Sequence, residues 1–342
     1  MSAARLEVSA ILLTYNCVDF AAAALESVLS QDCEPMEILV SDDASSDGTF
    51  EVIRREVENY SGSHRVRVRR RGSTSGSKSA HLNEVIPMTS GHVLVSFDGD
   101  DVSVPGRVRT LTDAFLRNPE VQAVYSGYSL IDEKGRHRGS GRVPHPDPGS
   151  TPARWFARVD AFAAGATLAL RREVVDVFGP LDPRIHEDVV LPFRASLMGD
   201  VSFIDEDLVK VRRWGGSLTA DRARFQSLAG YRTWMLTGID KARRQFRSRL
   251  ADFDTAERLM LPRAPDLEGL RKVARDSLAE AEASAGLVDP SPWTRWRCFL
   301  RLWRSGSSAY EILQNAALAF FPRLYLFYKR KTLGTGSEPG PL

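Results

Sequence analysis

The sequence predicts an α/β protein built on a doubly wound, mainly parallel sheet, followed by a C-terminal helical extension. In the first hundred residues, short apolar runs alternate with segments whose apolar residues recur at helical spacing. This alternation is typical of consecutive strand–helix–strand units. The chain has 342 residues, of which 43% are hydrophobic and 26% charged. It can therefore bury a large core, which excludes the disordered and collagen-like classes.

Four apolar runs in this region predict strands, and polar residues directly follow three of them. The predicted strands are residues 8–13, 37–40, 66–68 and 93–97. Asp19 and Asp47 are expected to cap the first two helices, the first of which should run through Gln31, because aspartate is a favoured N-cap. The polar residues at the strand ends are Thr14, Tyr15 and Asn16, then Asp42 and Asp43, then Asp98, Asp100 and Asp101. In doubly wound sheets ligands bind beyond the carboxyl ends of the strands, so a site is expected there.

The pattern is less regular after residue 130. Residues 135–150 are rich in Gly, Pro, Arg and His and predict a long surface loop. Residues 165–170 predict a strand, and residues 189–198 predict a helix that follows Glu187 and Asp188. Beyond residue 221 the chain is expected to be helical.

Charge is unevenly distributed along the chain. Residues 1–220 hold 25 Lys and Arg against 31 Asp and Glu, whereas residues 221–342 hold 21 against 13. The N-terminal part is therefore net acidic and the C-terminal part net basic, which indicates that the two parts have different functions. The three cysteines lie outside any Cys/His cluster, which argues against a disulfide framework or a zinc site and favours a reducing cytosol. We expect no signal peptide and no membrane span, since no run of 18 apolar residues is present.

Asp98 and Asp100 offer two carboxylates separated by one residue at a strand end. Mg²⁺ and Mn²⁺ prefer one or two such ligands, with phosphate and water oxygens in the remaining positions. Taken alone, the pair is better explained as a solvated turn in which Asp101 caps the next helix. Asp42 and Asp43 reverse that preference, because two acidic pairs at adjacent strand ends repel each other unless a cation or a hydrogen-bonding ligand lies between them.

Four motifs carry a resemblance to a known family. They are SAILLTYN beginning at Ser9, SDDASSDGT beginning at Ser41, FDGDD beginning at Phe97, and HED beginning at His186. In order and spacing they resemble the motifs of the family-2 glycosyltransferases, over about residues 8–219. The resemblance implies the GT-A fold, which is Rossmann-like and has a mainly parallel central sheet.

The resemblance also implies a nucleotide-sugar site. Its implied residues are Thr14, Tyr15, Asn16, Asp43, Asp98, Gly165, Arg212 and Ser217. Asp43 would accept a hydrogen bond from the base, and Gly165 would lie in a loop that flanks the donor sugar and the acceptor. Arg212 and Ser217 would belong to a segment that closes over the diphosphate.

Catalysis is implied at Asp188, the base, with Glu187 beside it. The same two residues also suit the capping of a helix, which is compatible with catalysis. Asp98 and Asp100 are the implied ligands of Mn²⁺ or Mg²⁺. The chain departs from the family pattern at Trp214, where many relatives have a metal-binding histidine.

Sugar transfer requires a stabilised leaving diphosphate and a deprotonated acceptor hydroxyl. The first hypothesis is therefore an inverting, metal-dependent glycosyltransferase that moves a sugar from a nucleotide-diphosphate sugar to a glycan or lipid-linked hydroxyl. The resemblance implies that it works in cell-surface polysaccharide or glycolipid assembly. The alternative, which Trp214 keeps open, is a catalytically silent GT-A-like binding or scaffolding subunit. A nucleic-acid binder is disfavoured because no recognised binding module is present.

The chain is expected to divide into four segments. These are a GT-A catalytic domain at residues 1–220, a helical extension at 221–290, a basic amphipathic helical segment at 291–332 and a disordered tail at 333–342. In the third segment, tryptophans fall on one helical arc beside arginines. Such a segment either makes a peripheral contact with the cytoplasmic membrane face or packs its aromatic stripe against the catalytic domain, and the sequence favours neither.

Two further features predict no binding site. Residues 72–79 contain Gly, Ser and Lys, but their spacing is not that of a P-loop. The arginines within residues 65–71 are expected to form a solvated strand face.

Overall fold

A computed structural model describes residues 6–141, 150–159, 161–215, 228–261, 266–304 and 309–321. In these residues, nine strands form one sheet in the order β3-β2-β1-β4-β8-β6-β9-β5, with β7 paired to β6. The strands are β1 (Val8–Thr14), β2 (Glu37–Asp42), β3 (Arg65–Arg70), β4 (Val93–Asp98), β5 (Val102–Ser103), β6 (Val121–Ile131), β7 (His137–Ser140), β8 (Ala169–Arg171) and β9 (Asp200–Arg212).

Six of the nine described strands run in the same direction, although only four of the eight strand pairs are parallel. Strands β3, β2, β1 and β4 all run in one direction. Strand β8 is antiparallel to both of its neighbours, β4 and β6, and the long strands β6 and β9 are parallel to each other. The α/β class with a mainly parallel central sheet, predicted from the sequence, is confirmed.

Helices alternate with the strands and make up most of the described residues from 228 onward. They are α1 (Val18–Leu29), α2 (Thr49–Glu58), α3 (Lys78–Val85), α4 (Arg107–Arg117), α5 (Pro152–Phe156), α6 (Glu173–Phe178), α7 (Glu187–Met198), α8 (Leu228–Arg258), α9 (Leu267–Gly286), α10 (Pro292–Arg304) and α11 (Ala309–Phe320). The core of the sheet packs apolar residues of β1, β2 and β4 against α1 and α4.

The predicted cap of α1 was wrong. Asp19 lies inside the first turn, because α1 begins one residue earlier, at Val18. The carboxylate of Asp47 takes the capping role from outside the helix, since its Oδ2 accepts a hydrogen bond from the Val18 amide over 3.0 Å. Its Oδ1 accepts from the Thr49 amide over 3.0 Å at the start of α2. One side chain therefore stabilises the first turns of two helices.

The predicted strand at residues 165–170 was wrong in its first half. Gly165–Thr167 is a 3₁₀ helix, and the strand begins only at Ala169. The Thr167 hydroxyl donates to the carbonyl of Ala164 over 2.8 Å and closes the turn. A local side-chain hydrogen bond of this kind competes with strand pairing.

The sequence did not predict β6 and β9, which pair along their length. Part of the predicted loop at residues 135–150 is strand β7, which pairs with β6 through Ser140 and His137. Residues 142–149 of that loop lie outside the described residues.

The chain forms two compact units. The first is Met1–Ser217 with Ser248–Arg271, and the second is Leu218–Arg247 with Lys272–Leu342. Within the first unit, the C-terminal part of α8 is held by buried charges. Arg194 Nε lies 3.1 Å from Asp252 Oδ1, and Arg249 donates to the carbonyls of Phe156 and Arg158 over 3.1 and 2.6 Å.

The second unit has its own small core and an exposed aromatic face. Its core residues are Tyr231, Ala283, Leu287, Val288, Leu302, Leu318 and Ala319. On α10, the side of the helix opposite Leu302 is exposed and carries Trp293, Trp296, Trp303, Arg297, Arg301 and Arg304. None of the helices in the described part of the chain combines the length and apolar character needed to cross a membrane.

Candidate active site

The carboxyl ends of β1, β2 and β4 bring the predicted polar residues to one edge of the sheet. In register, Thr14 lies beside Asp42, and Leu13 lies beside Asp98. Adjacent strands are about 4.8 Å apart. Each of these strands extends one or two residues beyond its predicted end, so Thr14, Asp42 and Asp98 are themselves the last strand residues.

Asp42 is a buried residue whose carboxylate holds the local structure at the end of β2. Its side chain is fully buried, and its carboxylate accepts from the Thr14 hydroxyl over 3.1 Å and from the Ser45 amide over 2.9 Å. The Ser45 hydroxyl donates to it as well, over 2.5 Å. Asp42 therefore fixes the loop that follows β2, and Thr14, a predicted nucleoside contact, is engaged in the same network.

Tyr15 and Asn16 begin the loop that follows β1. Tyr15 is 54% exposed, whereas Asn16 is tied to the loop after β2. The Asn16 amide donates to the Ser45 hydroxyl over 2.9 Å, and its side-chain oxygen accepts from the Ser46 amide over 2.9 Å. Asn16 has φ of 45°, a left-handed conformation that asparagine tolerates well. Of the two, Tyr15 is the side chain that is available to a ligand.

Asp43 lies under the Gly- and Ser-rich loop before α3. Its oxygens accept from Arg71 Nη1 over 3.0 Å, from the Ser75 amide over 2.7 Å and from the Ser75 hydroxyl over 2.8 Å. The Thr74 hydroxyl adds a fourth hydrogen bond over 3.1 Å. Burial alone would raise the pKa of Asp43, but the hydrogen bonds from Ser75 and Arg71 outweigh it and hold the pKa below its usual value.

A lysine joins the strand-end carboxylate to the acidic pair. Lys78 Nζ lies 2.6 Å from Asp98 Oδ1 and 2.9 Å from Glu187 Oε1. The two carboxylates come from β4 and α7, which are separated by almost ninety residues in the sequence. This ion bridge brings the predicted donor side and the predicted catalytic pair into one site.

The acidic pair opens α7, whose N-cap is His186. Negative charge is favoured at the N-terminus of a helix. In the described part of the chain, Asp188 Oδ1 is buried and has no hydrogen-bond partner. Burial, with a further contribution from the charge of Glu187, raises the pKa of Asp188 to about 7. A carboxylate with such a pKa is suited to accept a proton near neutral pH.

Gly165 contacts the same pair from the other side. A Cβ added to Gly165 would lie 2.7 Å from Glu187 Oε1 and 3.3 Å from the Cβ of Asp188, so only glycine fits without displacement. Pro192, inside α7, has no amide hydrogen to donate to the carbonyl of Asp188. That carbonyl instead accepts from the Ala163 amide over 2.9 Å, which holds the loop that contains Gly165 against the acidic pair of Glu187 and Asp188.

Asp100 lies in the acidic turn that follows β4, where it contacts Arg212 and Trp214. The indole Nε1 of Trp214 donates to Asp100 Oδ2 over 2.9 Å. Burial raises the pKa of Asp100, and the indole hydrogen bond only partly offsets this. Arg212 is buried and donates to the carbonyls of Asp100 and Asp132, each over 2.9 Å. Ser217, the other predicted diphosphate contact, lies outside the described residues.

The donor set at Asp98 and Asp100 fits a divalent metal. Both are carboxylates, the ligands that Mg²⁺ and Mn²⁺ prefer, and Lys78 and Trp214 each engage one oxygen of one of them. Burial disfavours the charged form of Asp100, and a bound cation would favour that form. His186, Glu187 and Asp188 also offer one ligand atom each within 4.8 Å of one another, but Lys78 already lies on Glu187.

Two residues of the site were not predicted from the sequence. Lys78 stands in the segment that was excluded as a P-loop, and its position after the capping Ser77 is the only local signal. Arg107 is completely buried and donates to the carbonyls of Ser96 and Ala166 over 2.8 and 2.7 Å, which ties β4 to the 3₁₀ helix that precedes β8. Burial lowers the pKa of Arg107 to about 10.

With this geometry in place, comparisons with known proteins identify the family. Residues 9–179, half of the chain, match the model of glycosyl transferase family 2, and the chain belongs to this family. EpsE of Bacillus subtilis (strain 168) is 33% identical over 144 residues, which are 42% of this chain and 50% of EpsE. The UDP-Glc:alpha-D-GlcNAc-diphosphoundecaprenol beta-1,3-glucosyltransferase WfaP of Escherichia coli is 29% identical over 123 residues, 36% of this chain and 46% of WfaP. The chain thus spans about half the length of each relative.

Solved structures share the fold over nearly the whole chain. S. aureus TarS 1–349, determined with UDP-GlcNAc, has a TM-score of 0.53 and 16% identity, covering 93% of this chain and 92% of TarS 1–349. The mannosyltransferase PcManGT from Pyrobaculum calidifontis, determined with GDP-Man and Mn²⁺, has a TM-score of 0.52 and 20% identity, covering 98% and 89%. The GT-A fold is confirmed. The roles of the individual site residues stay predictions.

Proposed function

We propose that this protein is an inverting glycosyltransferase that transfers a sugar from a nucleotide-diphosphate sugar to a hydroxyl acceptor. The observation that carries the proposal is the ion bridge from Asp98 through Lys78 to Glu187. It unites the end of β4 with the acidic pair of α7. Membership of glycosyl transferase family 2 supports the same reaction class.

The nucleoside is proposed to bind at the ends of β1 and β2. Tyr15 supplies an exposed aromatic ring, and Asp43 supplies a charged acceptor for the base. The complexes of TarS with UDP-GlcNAc and of PcManGT with GDP-Man support this donor class.

Asp188 is proposed to take the proton of the acceptor hydroxyl. The acceptor oxygen then bonds to the anomeric carbon, while the bond from that carbon to the phosphate oxygen breaks and its electron pair leaves with the diphosphate. Attack from the face opposite to the leaving group inverts the configuration. Glu187 and Lys78 hold the site around Asp188, and Gly165 leaves room beside the pair.

Asp98 and Asp100 are proposed to hold Mn²⁺ or Mg²⁺, which would supply Lewis-acid stabilisation of the leaving diphosphate. The carboxylate donor set supports this assignment, as does the Mn²⁺ bound in PcManGT. Arg212 steadies the turn by holding the carbonyl of Asp100. Trp214 holds the side chain of the same residue.

The acceptor is proposed to be a glycan or a lipid-linked sugar in polysaccharide or glycolipid assembly at the cytoplasmic membrane face. The lipid-diphosphate acceptor in the name of WfaP supports this class. A peripheral membrane contact is proposed for residues 291–332. The exposed tryptophans and arginines of α10 support it, because such side chains suit the headgroup region of a bilayer.

A donor screen tests the transferase. The protein is incubated with UDP-, GDP- and dTDP-sugars and Mn²⁺, with and without candidate acceptors, and the release of each nucleotide is measured. We expect one nucleotide to be released by the native protein, and to be released about 10²-fold or more slowly by Asp188→Asn. Tight donor binding without any release would instead favour a nucleotide-sugar-binding subunit. That second candidate is favoured by one observation, the hydrogen bond that Trp214 donates to the expected metal ligand Asp100.

A further inference from the structure

Lys78 is fixed in place by the elements on both sides of it. It is the first residue of α3, and the preceding Ser77 caps that helix by accepting from the Ala80 amide over 3.1 Å. The next residue, Ser79, is buried and donates its hydroxyl to the carbonyl of Ile185. The start of α3 is therefore tied to the turn that precedes Glu187, and Lys78 stands between the two.

The ammonium group of Lys78 contacts both of its carboxylate partners at ion-pair distance. Nζ lies 2.6 Å from Asp98 and 2.9 Å from Glu187, and the side chain is 19% exposed. A lysine ammonium group is charged at neutral pH, and contact with two carboxylates favours the charged form. The group is a permanent cation at neutral pH.

The two carboxylate partners of Lys78, Glu187 and Asp98, differ in how accessible they are to a ligand. Glu187 is 6% exposed, whereas Asp98 is 25% exposed and is a carboxylate expected to lie near the ribose and the metal. A cation that binds Asp98 meets a lysine already in contact with one of its oxygens. Two cations at one carboxylate repel each other, and the repulsion is strongest away from bulk water.

We propose that Lys78 is an internal cation that competes with a divalent metal for Asp98. Asp98 becomes available to the metal when Lys78 remains on Glu187 alone. The inference rests on the metal site proposed above. On this proposal the metal affinity of the site depends on Lys78 as well as on the carboxylate ligands. The ion pair of 2.6 Å between Lys78 and Asp98 compensates the charge of that carboxylate.

Binding of Mn²⁺ to the protein without donor tests this directly, because free Mn²⁺ is counted by electron paramagnetic resonance whether or not the protein is active. Lys78→Met removes the competing charge, and we expect it to bind Mn²⁺ at least about tenfold more tightly than the native protein. Lys78→Arg keeps the charge and should stay near the native affinity. Lys272→Met, at an exposed position of α9, removes one lysine charge as the matched control and should change nothing.

Equal or weaker Mn²⁺ binding by Lys78→Met would overturn the proposal, and so would the absence of Mn²⁺ binding in every variant. Circular dichroism establishes whether Lys78→Met is folded. If it is not, Glu187→Gln is compared with the double variant Lys78→Met/Glu187→Gln, in which no buried charge at 187 is left unpaired. The double variant should bind Mn²⁺ more tightly. Nucleotide release in the donor screen is measured separately, so failure of the transferase is distinguished from failure of this inference.

Discussion

Trp214 donates its indole N–H to Asp100 Oδ2 over 2.9 Å, so a neutral donor contacts the carboxylate expected to bind a metal. Histidine at this position would offer a nitrogen ligand instead. We expect Trp214→His to bind Mn²⁺ about tenfold more tightly, a typical scale for changes around a metal site. Free Mn²⁺ measured by electron paramagnetic resonance checks this.

Trp214→Phe is the matched control for that substitution. It keeps a ring for the edge contact with Phe20, whose centroid lies 5.0 Å from that of Trp214, but it supplies neither a donor nor a metal ligand. It should not reproduce the gain of Trp214→His. Equal affinities in the two variants would show that loss of the indole hydrogen bond, rather than a new ligand, is responsible.

Asp188 is expected to impose a pH dependence on the transfer reaction. Burial and the charge of Glu187 raise its pKa to about 7, so below that pH the carboxyl is increasingly protonated and cannot accept a proton. The value of kcat/KM should therefore rise with pH and be half-maximal near pH 7. Initial rates from about pH 5.5 to about pH 8.5 measure this.

Asp188→Asn should lower turnover by about 10²-fold or more while leaving donor binding intact, since general-base catalysis typically contributes that much. The residual activity should lose the limb near pH 7. Near-native turnover, or a native pH profile in the variant, would contradict the assignment of the base.

Gly165→Ala should damage catalysis through the acidic pair. The new methyl group would lie 2.7 Å from Glu187 Oε1 and would push that carboxylate from its contact with Lys78. We expect kcat to fall by about tenfold to 10²-fold, with little change in nucleotide affinity, because small misplacements are costly in a preorganised site. In Gly106→Ala the new Cβ meets no atom within 4 Å, so that variant should retain activity.

Asp42→Ala should lower stability. The substitution leaves the buried hydroxyl of Thr14 and both donors of Ser45 without their acceptor. We expect a loss of about 2 kcal/mol in the free energy of unfolding, measured by urea denaturation. Asp113→Ala, which breaks the exposed pair with Arg117, should cost less than about 0.5 kcal/mol. Equal losses would contradict the structural role of Asp42.

The sequence predicted the strands around the site because their local signals are strong. Mainly apolar runs precede Thr14, Asp42 and Asp98, and polar residues follow each run. Strands β6 and β9 carry polar residues along their length, so neither a continuous run nor strict alternation marks them. Their pairing depends on tertiary contact, which the local pattern does not encode.

The sequence predicted only those residues of the site that belong to recognisable motifs. Asp98 and Asp188 belong to recognisable motifs. The local sequence of α3, in contrast, carries no pattern that predicts the contacts of Lys78 with Asp98 and Glu187. The contact depends on the register of β4 and on the serine hydrogen bond that ties α3 to the turn before α7. The sequence also predicted the aromatic arc of α10. It did not predict which side of that helix is exposed, because the exposed side is set by the burial of Leu302.

That exposed side of α10 leads to the last prediction, a reversible and salt-sensitive contact with anionic membranes. Trp293 and Trp303 are 76% and 56% exposed, and aromatic rings are stable at the headgroup level. The neighbouring arginines are Arg297, Arg301 and Arg304. Each would add about 1 kcal/mol near an anionic surface.

Liposome flotation measures this contact, and substitution is a cleaner test than truncation, since Leu302 and Leu318 belong to the core of the second unit. The native protein should float with anionic vesicles at low salt. Trp293→Ser/Trp303→Ser should not, whereas the control Leu236→Ser/Met260→Ser, which removes exposed apolar side chains elsewhere, should float normally. If the native protein ignores anionic vesicles, or both double variants behave alike, the exposed aromatic face of α10 does not bind membranes.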